Sequence, residues 1–276
     1  MGTINQRLKG DSMIDSLKGK RIRLKKINAS LIVLLLLFSF SASDVFSQSS
    51  DSLSRHFNLD LRLKNMHLWQ GSVVTPGAML ATSMEYTTSD KKFLAGLWGG
   101  ASFDGSYKEF SYYVNYNFTS NFYAQIVSHN NYSAMSEPDM FSYDKYDSPN
   151  FLDFVLSYTV SDEIPLTAFW STILFGQAGD FVVGDDGSVS NSYSNYVELK
   201  YRFFKDDDTQ INAFAGGAFS FVTDETFYSS RPDFVNVGIN MTQDVRLFSK
   251  SLPVTGTAFW NPHTGVGALQ IDIMLF

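Results

Sequence analysis

Apolar and polar residues alternate strictly along FNLDLRLKN, residues 57–65. Phe57, Leu59, Leu61 and Leu63 fall on one side of an extended chain, and Asn58, Asp60, Arg62 and Lys64 on the other. The same period of two recurs downstream, and no helical stripe of useful length competes with it. It predicts twelve strands whose apolar frames run 57–63, 80–86, 93–103, 110–118, 122–126, 152–160, 166–174, 197–203, 211–221, 235–241, 254–260 and 269–275. Alternation alone does not say which face meets water. In a soluble sandwich the apolar face points inward, whereas in a membrane barrel it points out to lipid and the charges line the lumen.

The connections separate these cases. With the N-terminus on the periplasmic side, the even connections are short: TTSDKK, TSN, SDEIP, KDDDTQ and RLFSKSL. The odd ones include three long stretches, HNNYSAMSEPDMFSYDKYDSPN, GQAGDFVVGDDGSVSNSYSN and TDETFYSSRPD. Long loops at one end, short turns at the other and an even strand number predict an all-β chain forming a single antiparallel up-and-down transmembrane β-barrel. Aromatics flank the short turns in the lipid-facing frame (Tyr86 and Phe93; Phe118 and Phe122; Tyr201 and Phe203), as an interfacial girdle requires. Trp69, read as the end of the first strand, and Trp260 in the eleventh are expected at the opposite interface.

The N-terminus and the composition agree with export to a membrane. Lys20, Arg21, Arg23, Lys25 and Lys26 precede the apolar run 31–40 and then small residues, which reads as a signal peptide over 1–47, cleaved after Ser47 or Ser43. Residues 1–12 are read as a start-site artefact ahead of Met13, and residues 48–276 as the barrel. Residues 1–26 hold 8 of the 21 basic and 2 of the 28 acidic side chains, so the rest carries 13 against 26, a net charge of −13. Nucleic acid is therefore not an expected partner. The chain has no cysteine, which excludes disulfides, thiolate metal sites, cysteine nucleophiles and a lipoprotein anchor. No cofactor is implied.

The first four strands resemble the TorF-like putative porins, a family of bacterial outer-membrane barrels. The likeness is carried by Trp69-Gln70-Gly71, Pro76, the GLWGG of 96–100 and the acid-led aromatic stretch KEFSYYVNYNF of 108–118. It covers about a third of the chain, and Gln70 stands where the family pattern has Arg. The terminal Phe276 is similar to the C-terminal insertion signal of such barrels, although the last apolar frame runs through Leu275. The resemblance implies a cell outer membrane location, lipid and lipopolysaccharide around the barrel, and insertion machinery that engages the last strand.

Candidate chemistry is concentrated in the lumen. The inward frame holds Asp60, Glu85, Glu109, Asp153, Glu198 and Asp272 against Arg62, Lys64, Lys200 and Arg202. These pore-lining candidates suit a small diffusion channel for small polar solutes with weak cation preference. The same residues would equally suit a salt-bridged plug in a closed structural or adhesive barrel. His129, near Asn130, Asn131 and Ser133, invites comparison with the Ser, His and Asn of outer-membrane phospholipase barrels. The extended motif around the nucleophile is missing and the composition is that of a loop, so an enzyme is not expected. His56, His67 and His263 are expected to be solvated. The acids at 185–186 and 206–208 lack the spacing of a calcium loop, and no metal site is assigned.

Overall fold

The computed structural model describes residues 56–133, 139–144, 148–176, 180–247 and 250–276. The signal-peptide reading of 1–47 lies outside them, as do parts of the loops at 130–150 and 176–195. Among the described residues the wall is a closed antiparallel barrel of twelve strands. Its strands are β1 (Phe57–Lys64), β4 (Met79–Thr87), β5 (Phe93–Ser102), β6 (Lys108–Asn117), β7 (Phe122–His129) and β8 (Phe151–Thr159). They continue with β9 (Leu166–Gly176), β12 (Asn195–Lys205), β13 (Thr209–Phe219), β14 (Asp233–Leu247), β15 (Lys250–Asn261) and β16 (Val266–Met274). Each of the twelve predicted segments forms one of these strands. Two further hairpins stand outside the wall: β2 (His67–Trp69) with β3 (Ser72–Thr75), and β10 (Phe181–Val183) with β11 (Val189–Asn191).

Closure is made by the first and last strands, which pair antiparallel with Lys64 opposite Asp272 and Arg62 opposite Met274. The Leu61 N–H donates to the Phe276 carbonyl and the Leu275 N–H to that of Leu61, so pairing extends to the last residue. Closing the ring removes both edges, which a sheet surrounded by lipid cannot leave unpaired.

The apolar frame faces outward. Phe57, Leu59, Met84, Leu97, Val114, Ile126, Leu199, Ile239 and Leu269 are large apolar side chains left exposed on the outer wall. At the short-turn end they give way to aromatics in mutual contact: Phe57 with Tyr86 at 5.3 Å, Phe118 with Phe122 at 4.9 Å, and Phe122 with Tyr158 at 6.2 Å between ring centroids. At the long-loop end Phe103, Phe234 and Trp260 are exposed in the same way.

Three extra residues bend this regular pattern. Val235 on β14 has no partner between the pairs Gly216–Asn236 and Gly217–Phe234, so the bulge turns it inward to full burial and puts Phe234 on the outside. The apolar frame predicted to start at Val235 is thus corrected by one residue there. A bulge at Leu174 likewise hands the outward position to Phe175, and one at Phe203 leaves both Phe203 and Phe204 exposed. β14 and β15 are longer than expected, pairing as far as Leu247 opposite Lys250, because the stretch RLFSKSL is mostly strand rather than turn.

Candidate functional site: the lumen and its inserted hairpin

The β2–β3 hairpin corrects the reading of Trp69 as the outer end of the first strand. The wall leaves β1 at Lys64 and resumes at its direct partner Met79, and the chain between them turns into the barrel. Trp69 pairs with Ser72 across a two-residue turn in which Gln70 (φ 43°) and Gly71 (φ 84°) are both left-handed. Positive φ at both central residues is what a type I′ turn requires, and its twist matches the hairpin's strands.

Polar contacts anchor this hairpin across the whole lumen. The Leu68 N–H donates to Gln270 Oε1 (2.9 Å) on β16, beside β1, while at the tip Gln70 Nε2 donates to Ser171 Oγ (3.2 Å) on β9, diametrically opposite β1 in the ring. The Tyr228 hydroxyl donates to Gln70 Oε1 at 2.5 Å, and Asn261 Nδ2 to the Gly71 carbonyl at 2.9 Å. A Cβ at Gly71 would lie 2.2 Å from the Val235 carbonyl oxygen, so only glycine allows this approach.

An aromatic cluster packs around the hairpin. Trp69 lies 5.4–6.0 Å from the rings of His129, Phe151, Phe227 and Tyr228. Tyr228 belongs to the loop between β13 and β14, so that connection too folds inward. His67 stacks 5.6 Å from Trp98 and touches Tyr107 at 5.7 Å, and its Nδ1 is buried without a partner. The expectation that His67 is solvated is therefore overturned. His263 corrects the same expectation: its Nδ1 is 3.1 Å from Asp233 Oδ2, whereas His56 Nδ1 bonds the Thr87 carbonyl at 2.8 Å.

The ten predicted lumen residues fall into separate groups. Along β1, β4 and β16, Arg62 bridges Asp60 (3.5 Å) and Asp272 (3.3 Å), Lys64 reaches Asp272 at 3.5 Å, and Ser83 donates to Asp60. Glu85 accepts from the Tyr113 hydroxyl at 2.7 Å. On β12, Glu198 accepts from Tyr196 (2.6 Å) and Asn236 (3.1 Å) and lies 3.4 Å from Lys200. Arg202 sits apart at the short-turn end, 3.8 Å from the fully exposed Asp162.

Glu109 and Asp153 form the remaining group. Glu109 accepts from Tyr107 (2.7 Å) and Ser111 (2.8 Å) and lies 3.5 Å from His129 Nδ1. His129 stacks on Phe151 at 4.6 Å and faces the interior, not the outer surface that a phospholipase-like arrangement would need. Asp153 is 1% exposed, and its Oδ1 has no hydrogen-bond partner.

This group lines a cavity of about 890 Å³ beside the hairpin. It extends from Asn131 and Ser133, beyond the loop end of β7, past Glu109, His129 and Asp153 to Gln125 and Tyr113 partway down the strands. A smaller space of about 180 Å³ lies on the other side, between Gln70, Glu198, Lys200, Asn240 and Gln270. The acid pairs in turns have local roles: Asp186 accepts from the Ser188 N–H, and Asp206 from the N–H groups of Asp208 and Thr209. In the β5–β6 turn, hydrogen bonds from the Ser102 hydroxyl and then from Ser106 hold the Asp104 carboxyl down to about 2.

Sequence reasoning missed His67, Gln70, Phe227 and Tyr228 as lumen residues. The Gln-Gly pair between the short apolar runs His67–Trp69 and Ser72–Thr75 is the hairpin signal that could have found the first two.

The fold defines a class, the closed twelve-stranded antiparallel barrel with an occupied lumen. No family model matches the chain and no curated protein matches it, so the likeness to TorF-like putative porins stays a resemblance. Among solved structures it is similar to the NanC porin, at 7% identity over 79% of this chain and 98% of that one, with a TM-score of 0.44. It is also similar to a bacterial polysaccharide outer membrane secretin, at 8% identity over 81% of this chain and 99% of that one, with a TM-score of 0.33. Likenesses of this depth carry no weight for function.

Proposed function

We propose that the chain is an outer-membrane channel for small polar solutes, narrowed by the β2–β3 hairpin and weakly selective for cations. The outer wall supports the membrane part of this reading, since an apolar band between aromatic rims on a closed barrel suits lipid and no soluble core. The observation that carries the channel part is the cavity of about 890 Å³ left beside the hairpin, which reaches from Asn131 and Ser133 at the loop end to Gln125 and Tyr113 partway down the strands. Glu109 and Asp153 line it, so a cation on this route meets acids. The long loops then lie outside the cell and the short turns in the periplasm. The other acids, Asp60, Glu85, Glu198 and Asp272, with Arg62, Lys64, Lys200 and Arg202, line the rest of the route in this reading. The resemblance to TorF-like putative porins points the same way.

Purified protein in a planar bilayer under a KCl gradient tests the proposal. Discrete conductance steps with a reversal potential on the cation side are expected. A bilayer that stays silent with correctly folded protein would remove the channel and leave a closed structural barrel.

A further inference from the structure

The cavity beside the hairpin is built for a particular chemistry. Its wall carries two carboxylates, Glu109 and Asp153, and among the described residues no Lys or Arg lines it. Its apolar surface is mainly aromatic, with the rings of Trp69, Trp98, Phe151 and Phe227. On two of its lining residues a polar atom, Asp153 Oδ1 and His67 Nδ1, is buried without a hydrogen-bond partner. Asp153 is hydrogen-bonded by Ser171 and the Thr172 backbone, and both His129 and a second buried acid, Asp180, which has an unpartnered oxygen of its own, act on it electrostatically. The nearest cation of the β1 cluster, Lys64, is engaged by Asp272 at 3.5 Å. A buried carboxylate oxygen left without a donor is costly, and a ligand that donates to it while carrying positive charge removes that cost. Aromatic faces hold cations and apolar bodies alike.

From these features we infer that the cavity is a binding site for a primary organic ammonium ion with an apolar or aromatic body. The ammonium group donates to Asp153 Oδ1, and the body lies against Trp69, Trp98 and Phe151. This rests on the channel reading only in that the site lies on the proposed path. Binding itself does not require conduction, since a closed barrel would hold the same cavity.

The test therefore has two readouts. In planar bilayers, 2-phenylethylammonium should block the potassium current at concentrations about tenfold lower than its neutral analogue 2-phenylethanol or the anion phenylacetate. The fluorescence of Trp69 and Trp98, which line the cavity, should titrate with 2-phenylethylammonium in the detergent-solubilised protein whether or not it conducts. In Asp153→Asn and, separately, Glu109→Gln, each checked for an intact barrel by heat-modifiable migration, both effects should weaken by about tenfold. Equal block by all three compounds, or titration unaltered in both folded variants, would overturn the ammonium site while leaving the channel in place. Silence in the bilayer with the expected fluorescence titration would do the reverse, removing the channel and retaining the site.

Discussion

The two ends of the barrel interior are built from the same strands and the same alternation, yet they differ in kind. Toward the short turns the inward positions are polar, with charged Glu85 and Arg202 among small side chains that bond across neighbouring strands in pairs: Asn212 to Asn240 at 2.7 Å, Thr242 to Thr255 at 2.8 Å, and Thr159 to Thr167 at 2.9 Å. Toward the long loops, the inward positions hold Tyr107, Phe151, Tyr196 and Phe259, all buried, and the hairpin and Tyr228 fill the space between them. A barrel of twelve strands is wider than its own side chains can fill. Here one connection, residues 65–78, and part of another supply the missing core at one end only. The difference teaches that alternation determines the wall, whereas the contents of the lumen depend on which connections fold inward.

The largest effect tests the wall on which the comparison stands. Leu199, more than half exposed on the outer face between Ala168 and Ala215, should tolerate arginine badly. We expect Leu199→Arg to cost about 2–4 kcal/mol in reversible unfolding from lipid vesicles. Tolerance at this site would mean that the apolar face is not in lipid.

Next comes the filled end. Gly71→Val forces a branched side chain into a left-handed turn and against the Val235 backbone, at an expected cost of about 2–3 kcal/mol. The wall strands should be untouched, so the loss should appear as new hydrogen exchange in β2 and β3 with the barrel amides still protected. Uniform loss of protection across the wall would mean that hairpin and wall fold as one unit.

At the short-turn end the corresponding change should be mild. Thr242→Val breaks the hydroxyl pair with Thr255 where water can replace it, and we expect about 0.5 kcal/mol or less by the same unfolding assay. A cost as large as that of Gly71→Val would erase the distinction between the two ends.

The smallest effect sits in the turn that seats Tyr107. Ser102 and Ser106 bond the Asp104 carboxylate, and the Tyr107 N–H donates to Ser102 Oγ at 2.9 Å. With its folded value lowered to about 2, Asp104 contributes stability that is present above its unfolded value of 3.8 and is lost as pH falls through about 2. NMR titration of its side-chain carboxyl should show that low midpoint. A midpoint near 3.8 would mean that the turn is not held by these bonds.

Much of this was legible in the sequence. Period two located all twelve wall strands, and the frames of β1, β4, β6 and β16 put Asp60, Glu85, Glu109 and Asp272 opposite the exposed apolar residues. The bulge at Val235 was not legible, because one unpaired residue shifts a frame without changing composition. The fate of His67–Thr75 was hidden for a different reason. A short apolar stretch with a Trp reads alike as a strand end at an interface and as a hairpin packed inside, and only contacts distant in sequence, such as Gln70 with Tyr228, decide between them.

The central claim is that the hairpin narrows a conducting path, and the most direct measurement removes it. Lys64 and Met79 are paired neighbours, so residues 66–77 can be replaced by a short Gly/Ser link without stretching the wall. Single-channel recording in planar bilayers should show small steps for the wild type and steps several-fold larger for the shortened protein, since channel current scales with the open cross-section. Equal conductance in the two, with both barrels folded, would contradict the claim.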